Sequence, residues 1–291
     1  MSAAPPELFD RALVRRRLDR AWSERADGAD FLLARAADDL LDRLALVKRR
    51  FARAVDLGTP GPHAAAALAT SGQVERVVRL APTAASLGPV EGGVGDLESL
   101  PFADPQFDLA ASLLALHTVN DLPGALVQIR RSLKPDGLLM AAVAGGDTLT
   151  ELRQSFTIAE SELRGGASPR VAPFVDVRTL GALAQRAGFA LPVVDLDRTT
   201  VRYGDLFALM RDLRGFGATN ALVARSRTPL RRDVLFRAAS VYAERFADAD
   251  GRLRATFDTL WLSGWAPHES QPKPLKPGSA STRLADALRR D

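Results

Sequence analysis

The chain has 291 residues, 46% of them hydrophobic and 25% charged, which is enough apolar mass for a large core and excludes a disordered or fibrous protein. Cysteine is absent, which excludes disulfides, thiolate metal sites and a cysteine nucleophile. A net charge of +4, from 39 basic and 35 acidic residues, argues against nucleic-acid binding, and no apolar run reaches the length of a transmembrane segment.

Phe9, Leu13, Leu18 and Trp22 recur at near-helical spacing, so residues 8–25 read as an amphipathic helix. Arg11, Arg15, Arg16, Arg17 and Arg20 fill its other side. The simple reading packs this helix on the main domain with its arginines solvated; the alternative is docking to an acidic partner or peripheral contact with an anionic membrane. The N-terminus lacks the apolar core of a secretory signal, and Glu7, Asp10 and Asp19 speak against a transit peptide, so the expected location is cytoplasmic. A second helical stretch runs from Phe31 to Phe51.

Alternation follows. Arg53–Leu57, Arg76–Ala81, Phe107–Leu114 and Gly137–Ala144 are apolar runs of strand length, with crossover-length segments between them. Strands apolar on both faces belong to parallel sheets, so the fold class is α/β, doubly wound. Thr148 and Glu151 have capping-box spacing, and the helix they open is expected to run to Gly165-Gly166. Asp176 caps a helix ending at Gly188, and Leu191–Tyr203 alternates as a long strand. Thr228-Pro229 reads as the start of another helix, and Thr256–Trp265 as a last strand whose Trp261 and Trp265 share a face. The resulting division is a helical extension over 1–50, an α/β domain over 51–270 with helical additions at about 148–188 and 204–247, and a proline-rich tail over 271–291.

Asp56-Leu57-Gly58-Thr59-Pro60-Gly61-Pro62 joins the first strand to the next helix, where α/β domains cradle nucleotides. Asp56 and Gly58 stand where such a cradle needs them. Pro60 and Pro62 each remove an N–H donor and fix φ, and Gly61 alone keeps freedom between them. A second requirement is a carboxylate at the end of the second strand to hold ribose hydroxyls, and Val77-Val78-Arg79-Leu80-Ala81 has none. Losing one charge-assisted bond costs about 1.5 to 3 kcal/mol.

Gly95-Asp96-Leu97-Glu98-Ser99-Leu100-Pro101-Phe102, then Phe107-Asp108-Leu109 and Leu133-Lys134-Pro135-Asp136-Gly137, resemble the class I S-adenosylmethionine-dependent methyltransferases. Gly145-Gly146-Asp147-Thr148-Leu149, with Leu116-His117-Thr118-Val119-Asn120-Asp121 and His268-Glu269-Ser270-Gln271, narrows the resemblance to the branch of mitochondrial complex I assembly factor five and its bacterial relatives, neighbours of the malonyl carrier protein methyltransferase. The resemblance spans almost the whole chain. It implies a Rossmann-like seven-stranded sheet with an antiparallel last strand and S-adenosylmethionine held by Asp56, Gly58, Gly61, Asp96, Leu97 and Leu113, with Asp96 and Leu97 at the adenine. It also implies a protein client in which an arginine of a respiratory complex I subunit is modified. In that match two of the three loop glycines fall on Pro60 and Pro62, and the ribose-binding acid falls on Leu80.

Of the three histidines, none lies in a metal-ligand spacing, so no metal site is expected. His117, just past a strand end, is the candidate functional histidine, against the reading of a locally bonded loop residue. Asp147 is explained by turn chemistry; by resemblance it would lie on the substrate side, where a carboxylate could receive a guanidinium. The altered loop points to a client-binding protein with a degenerate cofactor site; the alternative is an active methyltransferase or arginine-modifying enzyme.

Overall fold

A computed structural model describes residues 7–24 and 28–272. In chain order the elements are α1 (Arg11–Glu24), α2 (Phe31–Ala45), β1 (Phe51–Leu57), α3 (His63–Thr70), β2 (Val74–Ala81), α4 (Ala84–Leu87), β3 (Gly92–Val94) and β4 (Phe107–Leu113). A single 3₁₀ turn (Leu116–Thr118) leads to α5 (Leu122–Ser132), β5 (Leu133–Gly145), α6 (Thr150–Arg164) and α7 (Val177–Arg186). The chain continues through β6 (Ala190–Tyr203), α8 (Leu206–Gly215), α9 (Arg232–Phe246) and β7 (Leu253–Trp265).

The strands form one seven-stranded sheet in the order β3-β2-β1-β4-β5-β7-β6. β7 alone runs against its neighbours; the pairs among β1 to β5 are parallel. The order reverses between β1 and β4, so the crevice for a ligand opens at their carboxyl ends. Alternation along β1 divides the core. Val55 and Leu57 join the layer of Leu126 and Ile129 from α5 and Leu180 from α7. Ala54 joins the opposite layer with Leu40 and Leu44 of α2 and Leu68 of α3. A third cluster, with Phe156, Tyr203, Leu209, Tyr242 and Phe257, knits α6, α8 and α9 to β6 and β7.

Several sequence expectations shift. The Thr148–Glu151 pair is not a capping box: Thr148 Oγ1 bonds the Gly145 and Asp258 carbonyls, and Glu151 accepts from Thr256, so both residues fasten α6 to β7. α6 instead begins after Leu149 in the left-handed region (φ 55). Thr228 does not open a helix; its hydroxyl meets Ser226, and α9 starts at Arg232. β3 goes unforeseen because Gly92-Gly93-Val94 offers neither an apolar run nor alternation. Asp176 caps α7 as expected, accepting from the Thr179 amide at 2.8 Å. Of the tail expected over 271–291, only Gln271 and Pro272 lie within the described residues.

Helix α1 crosses the ligand end of the sheet. Phe9 pairs with Leu222, the Asp10 amide donates to the Ala221 carbonyl at 2.9 Å, and Asn120 Oδ1 accepts from the Leu8 and Phe9 amides. Val14 faces the core of this contact, beside Ala221 and Leu222.

Candidate functional site

The loop after β1 occupies the expected place, and side chains of the same chain fill it. Gly58 is left-handed (φ 71), and a Cβ there would stand 2.7 Å from Leu97. A Cβ on Gly61 would meet the Trp22 ring of α1 at 2.1 Å, so this glycine makes room for an indole that also stacks edge-on against His63 at 5.8 Å. Pro60 is buried in the floor.

Beneath the loop lies a buried ion pair. Asp56 and Arg79 face each other in the register of β1 and β2, with Arg79 Nε 3.7 Å from Asp56 Oδ2 and both side chains inaccessible to solvent. Arg79 Nη2 donates to the Thr59 carbonyl at 2.7 Å, holding the loop down, and Thr59 Oγ1 accepts from the Leu113 amide. Arg79 Nε and Nη1 make no hydrogen bond, and Thr59 and Ala65 help to hold the Asp56 carboxylate. Burial pushes the Asp56 carboxyl up to about 6, with Arg79 opposing, and the same burial lowers Arg79.

Asp96, expected at an adenine, is bound by α1. Arg11 Nη2 reaches its Oδ1 at 2.7 Å, Arg15 contacts its Oδ2, and Arg11 Nη1 continues to the Thr118 carbonyl at 3.0 Å. Burial alone would raise Asp96, but the Glu98 amide and the two guanidinium groups outweigh it and hold the carboxyl below its usual range. Leu80 lies in the apolar layer with Leu57, Val78 and Leu97, and β2 ends one residue later at Ala81, which offers no carboxylate either. Between Gly58, Pro60, Gly95, Leu97, Leu114 and α1 about 60 Å³ remains open. Pockets for cofactor-sized ligands measure about 300 to 1,000 Å³. With α1 in place the space at the loop itself is therefore small for an adenosyl group, and Asp96, the residue expected at the adenine, is taken by Arg11 and Arg15.

His117 lies beside this remnant and beside a second, larger cavity of about 290 Å³. That cavity is mainly apolar, with Phe9, Leu114, Phe156, Tyr203, Met210 and Phe257 among its walls. Leu114, shared by both, holds a left-handed backbone (φ 49) unusual for a bulky residue. His117 Nδ1 is buried without a partner, its ring is 6.1 Å from Phe174, and burial pushes its pKa down to about 4.

A histidine whose folded pKa lies below its unfolded value of about 6.5 binds fewer protons when folded. Its contribution to stability is full above about pH 6.5 and is lost as pH falls toward 4. Replacing His117 with glutamine is expected to remove about 2 kcal/mol of that acid loss, measured as the difference in urea midpoint between pH 7 and pH 4. An unchanged acid loss would reject the assignment.

Asp147 lies outside the cavity walls, 64% exposed, at 2.7 Å from Arg198 Nη2. The same guanidinium holds Asp258, whose Oδ2 accepts the Asp147 amide. Both acids are thus committed to one arginine, and turn chemistry explains Asp147. The structure brings Asp56, Gly58, Gly61, Asp96, Leu97, Leu113 and His117 to one end of the sheet and leaves Asp147 to the side. Sequence reasoning misses Arg79, Trp22 and the Arg11/Arg15 pair. The signal for the pair is their i,i+4 spacing, which sets both on one face of α1. Among the described residues no group of acidic or histidine side chains could hold a metal ion.

The sheet order and crevice are those of the class I S-adenosylmethionine-dependent methyltransferase fold, and relatives 34–40% identical over most of their length show that the chain belongs to that superfamily. Residues 55–141 match the family model described as a methyltransferase domain, and the fold is that of the YcgJ protein from Bacillus subtilis (TM-score 0.55, 16% identity, 80% of this chain and 99% of that one). Within the superfamily it falls in the branch of arginine-hydroxylase NDUFAF5. It is 40% identical to the mitochondrial Danio rerio protein of that name over 96% of this chain and 89% of the relative, and 39% identical to the Homo sapiens protein over 96% and 83%. The malonyl-[acyl-carrier protein] O-methyltransferase of Methylovorus is 34% identical over 89% and 90%.

Proposed function

We propose that this chain binds a protein client, as an assembly protein of the arginine-hydroxylase branch, without using S-adenosylmethionine. The observation that carries this reading is the commitment of Asp96 to Arg11 and Arg15, which leaves about 60 Å³ between α1 and the β1 loop. By likeness to relatives that carry the name arginine-hydroxylase, the client is a protein presenting an arginine, with a respiratory complex I subunit as the first candidate. Among the described residues no helix is long and apolar enough to cross a membrane.

Calorimetric titration of the full chain with S-adenosylmethionine is expected to give no binding heat up to millimolar ligand. A low-micromolar dissociation constant, about −8 kcal/mol, would require a site this arrangement lacks and would refute the reading. A second reading, modification of a client side chain by the chain itself, is favoured by His117, a neutral imidazole with one unpartnered nitrogen beside the larger cavity.

A further inference from the structure

On the outer side of the larger cavity five arginines gather around one open cleft: Arg16 and Arg17 of α1, Arg170 before α7, and Arg225 and Arg227 after α8. Two carboxylates answer them. Asp10 pairs with Arg225 at 3.1 Å, and the buried Glu160 pairs with Arg170. Arg17 directs its guanidinium at the Thr219 and Asn220 carbonyls, and Arg16 lies near Asp10, which Arg225 already pairs. Burial first, and then the nearby Arg225, lower the Arg17 pKa, as expected where like charges are crowded. Such a cluster is completed by an anion, which guanidinium groups grip in bidentate fashion.

The cleft and the cavity are neighbours through shared walls. Arg170 and Asn220 line both, and the Arg170 guanidinium lies 5.7 Å from the centre of the Phe156 ring, itself a cavity wall. A basic mouth thus adjoins an apolar chamber of about 290 Å³. One buried polar atom in the chamber wall, His117 Nδ1, lacks a partner and would bond an oxygen carried on a chain inside. A free phosphate would leave the chamber unused, and an uncharged hydrocarbon would leave the cleft unused.

We propose that the arginine cleft and the apolar cavity together form a binding site for an amphiphilic anion, an apolar chain ending in a phosphate or carboxylate. The head sits among Arg16, Arg17, Arg225 and Arg227, and the chain passes Arg170 into the cavity. The site leaves out the β1 loop, though it shares Leu114 and His117 with the remnant there, and it does not depend on the client reading.

Titration calorimetry of the full chain with monomeric decyl phosphate, inorganic phosphate and decanol tests this. Decyl phosphate is expected to bind at least about tenfold more tightly than either partial ligand, and less tightly as salt rises. The Arg16→Gln/Arg227→Gln variant alters two exposed residues, so it is expected to keep the fold, checked by circular dichroism. It is expected to bind decyl phosphate about tenfold more weakly and with a shallower salt dependence. Equal affinity for inorganic phosphate, equal affinity for decanol, or an unaffected variant would each overturn the proposal. So would sedimentation with phosphatidylglycerol vesicles in the absence of decyl phosphate binding, which would make the arginines a membrane-contact patch.

Discussion

Asparagine in place of Asp56 is expected to lower the unfolding free energy by about 3 to 5 kcal/mol, the cost of leaving one member of a buried ion pair uncompensated. The motive is geometric: Arg79 is fully enclosed, its Nη2 is engaged by the Thr59 carbonyl, and among the described residues the only carboxylate near its Nε is that of Asp56. Adding Arg79→Met to the first change removes the stranded charge, and the double variant should regain most of the loss, since apolar replacement of a buried pair is often neutral or better. Urea denaturation of both variants checks this. A single variant within about 1 kcal/mol of the parent would mean that water reaches the pair. The Asp56 carboxyl also has a pH signature. Its folded pKa, about 6, lies above the unfolded value of about 3.9, so the pair is strained by deprotonation, and stability drawn from Asp56 falls as pH rises across that window. This slope opposes that of His117.

The second large effect is a gain of binding. A variant carrying Arg11→Ala, Arg15→Ala, Pro60→Gly and Pro62→Gly frees the Asp96 carboxylate and restores two loop donors. Affinity for S-adenosylhomocysteine is expected to rise by about one to two decades, the value of one recovered charge-assisted bond. The arginine changes remove partly exposed ion pairs and should cost the fold little. Leu80 is left alone, because an aspartate there would enter the apolar layer of Leu57 and Leu97. Equilibrium dialysis with labelled ligand reads the result, and an unchanged affinity would show that Trp22 alone closes the loop.

The parallel strands are legible in the sequence because β1, β2, β4 and β5 are apolar on both faces, a pattern set by burial and visible residue by residue. Asp176 is equally legible, since a side-chain cap acts within four residues. The site is less so. Gly58 and Gly61 read as space left for a ligand, yet the space is taken by Leu97 and Trp22, and the second of these comes from a helix about forty residues upstream. Arg79 looks like a flaw in an apolar strand until strand pairing sets it opposite Asp56. Thr148 and Glu151 have the right spacing for a cap, but their partners lie on β7, more than a hundred residues away. What local spacing cannot convey is which distant segment arrives first at a polar group.

The anchoring of α1 has a consequence for synthesis on the ribosome. Its docking surface includes Ala221 and Leu222, so the helix is made roughly 200 residues before its partner exists. At about 5 to 20 residues per second that interval is about 10 to 40 s. Throughout it, Val14 and Leu18 present an apolar stripe to solvent beside a row of cations. The nascent chain therefore passes through a stage in which its first helix is open to chaperones, and docking of that helix is among the last events of folding.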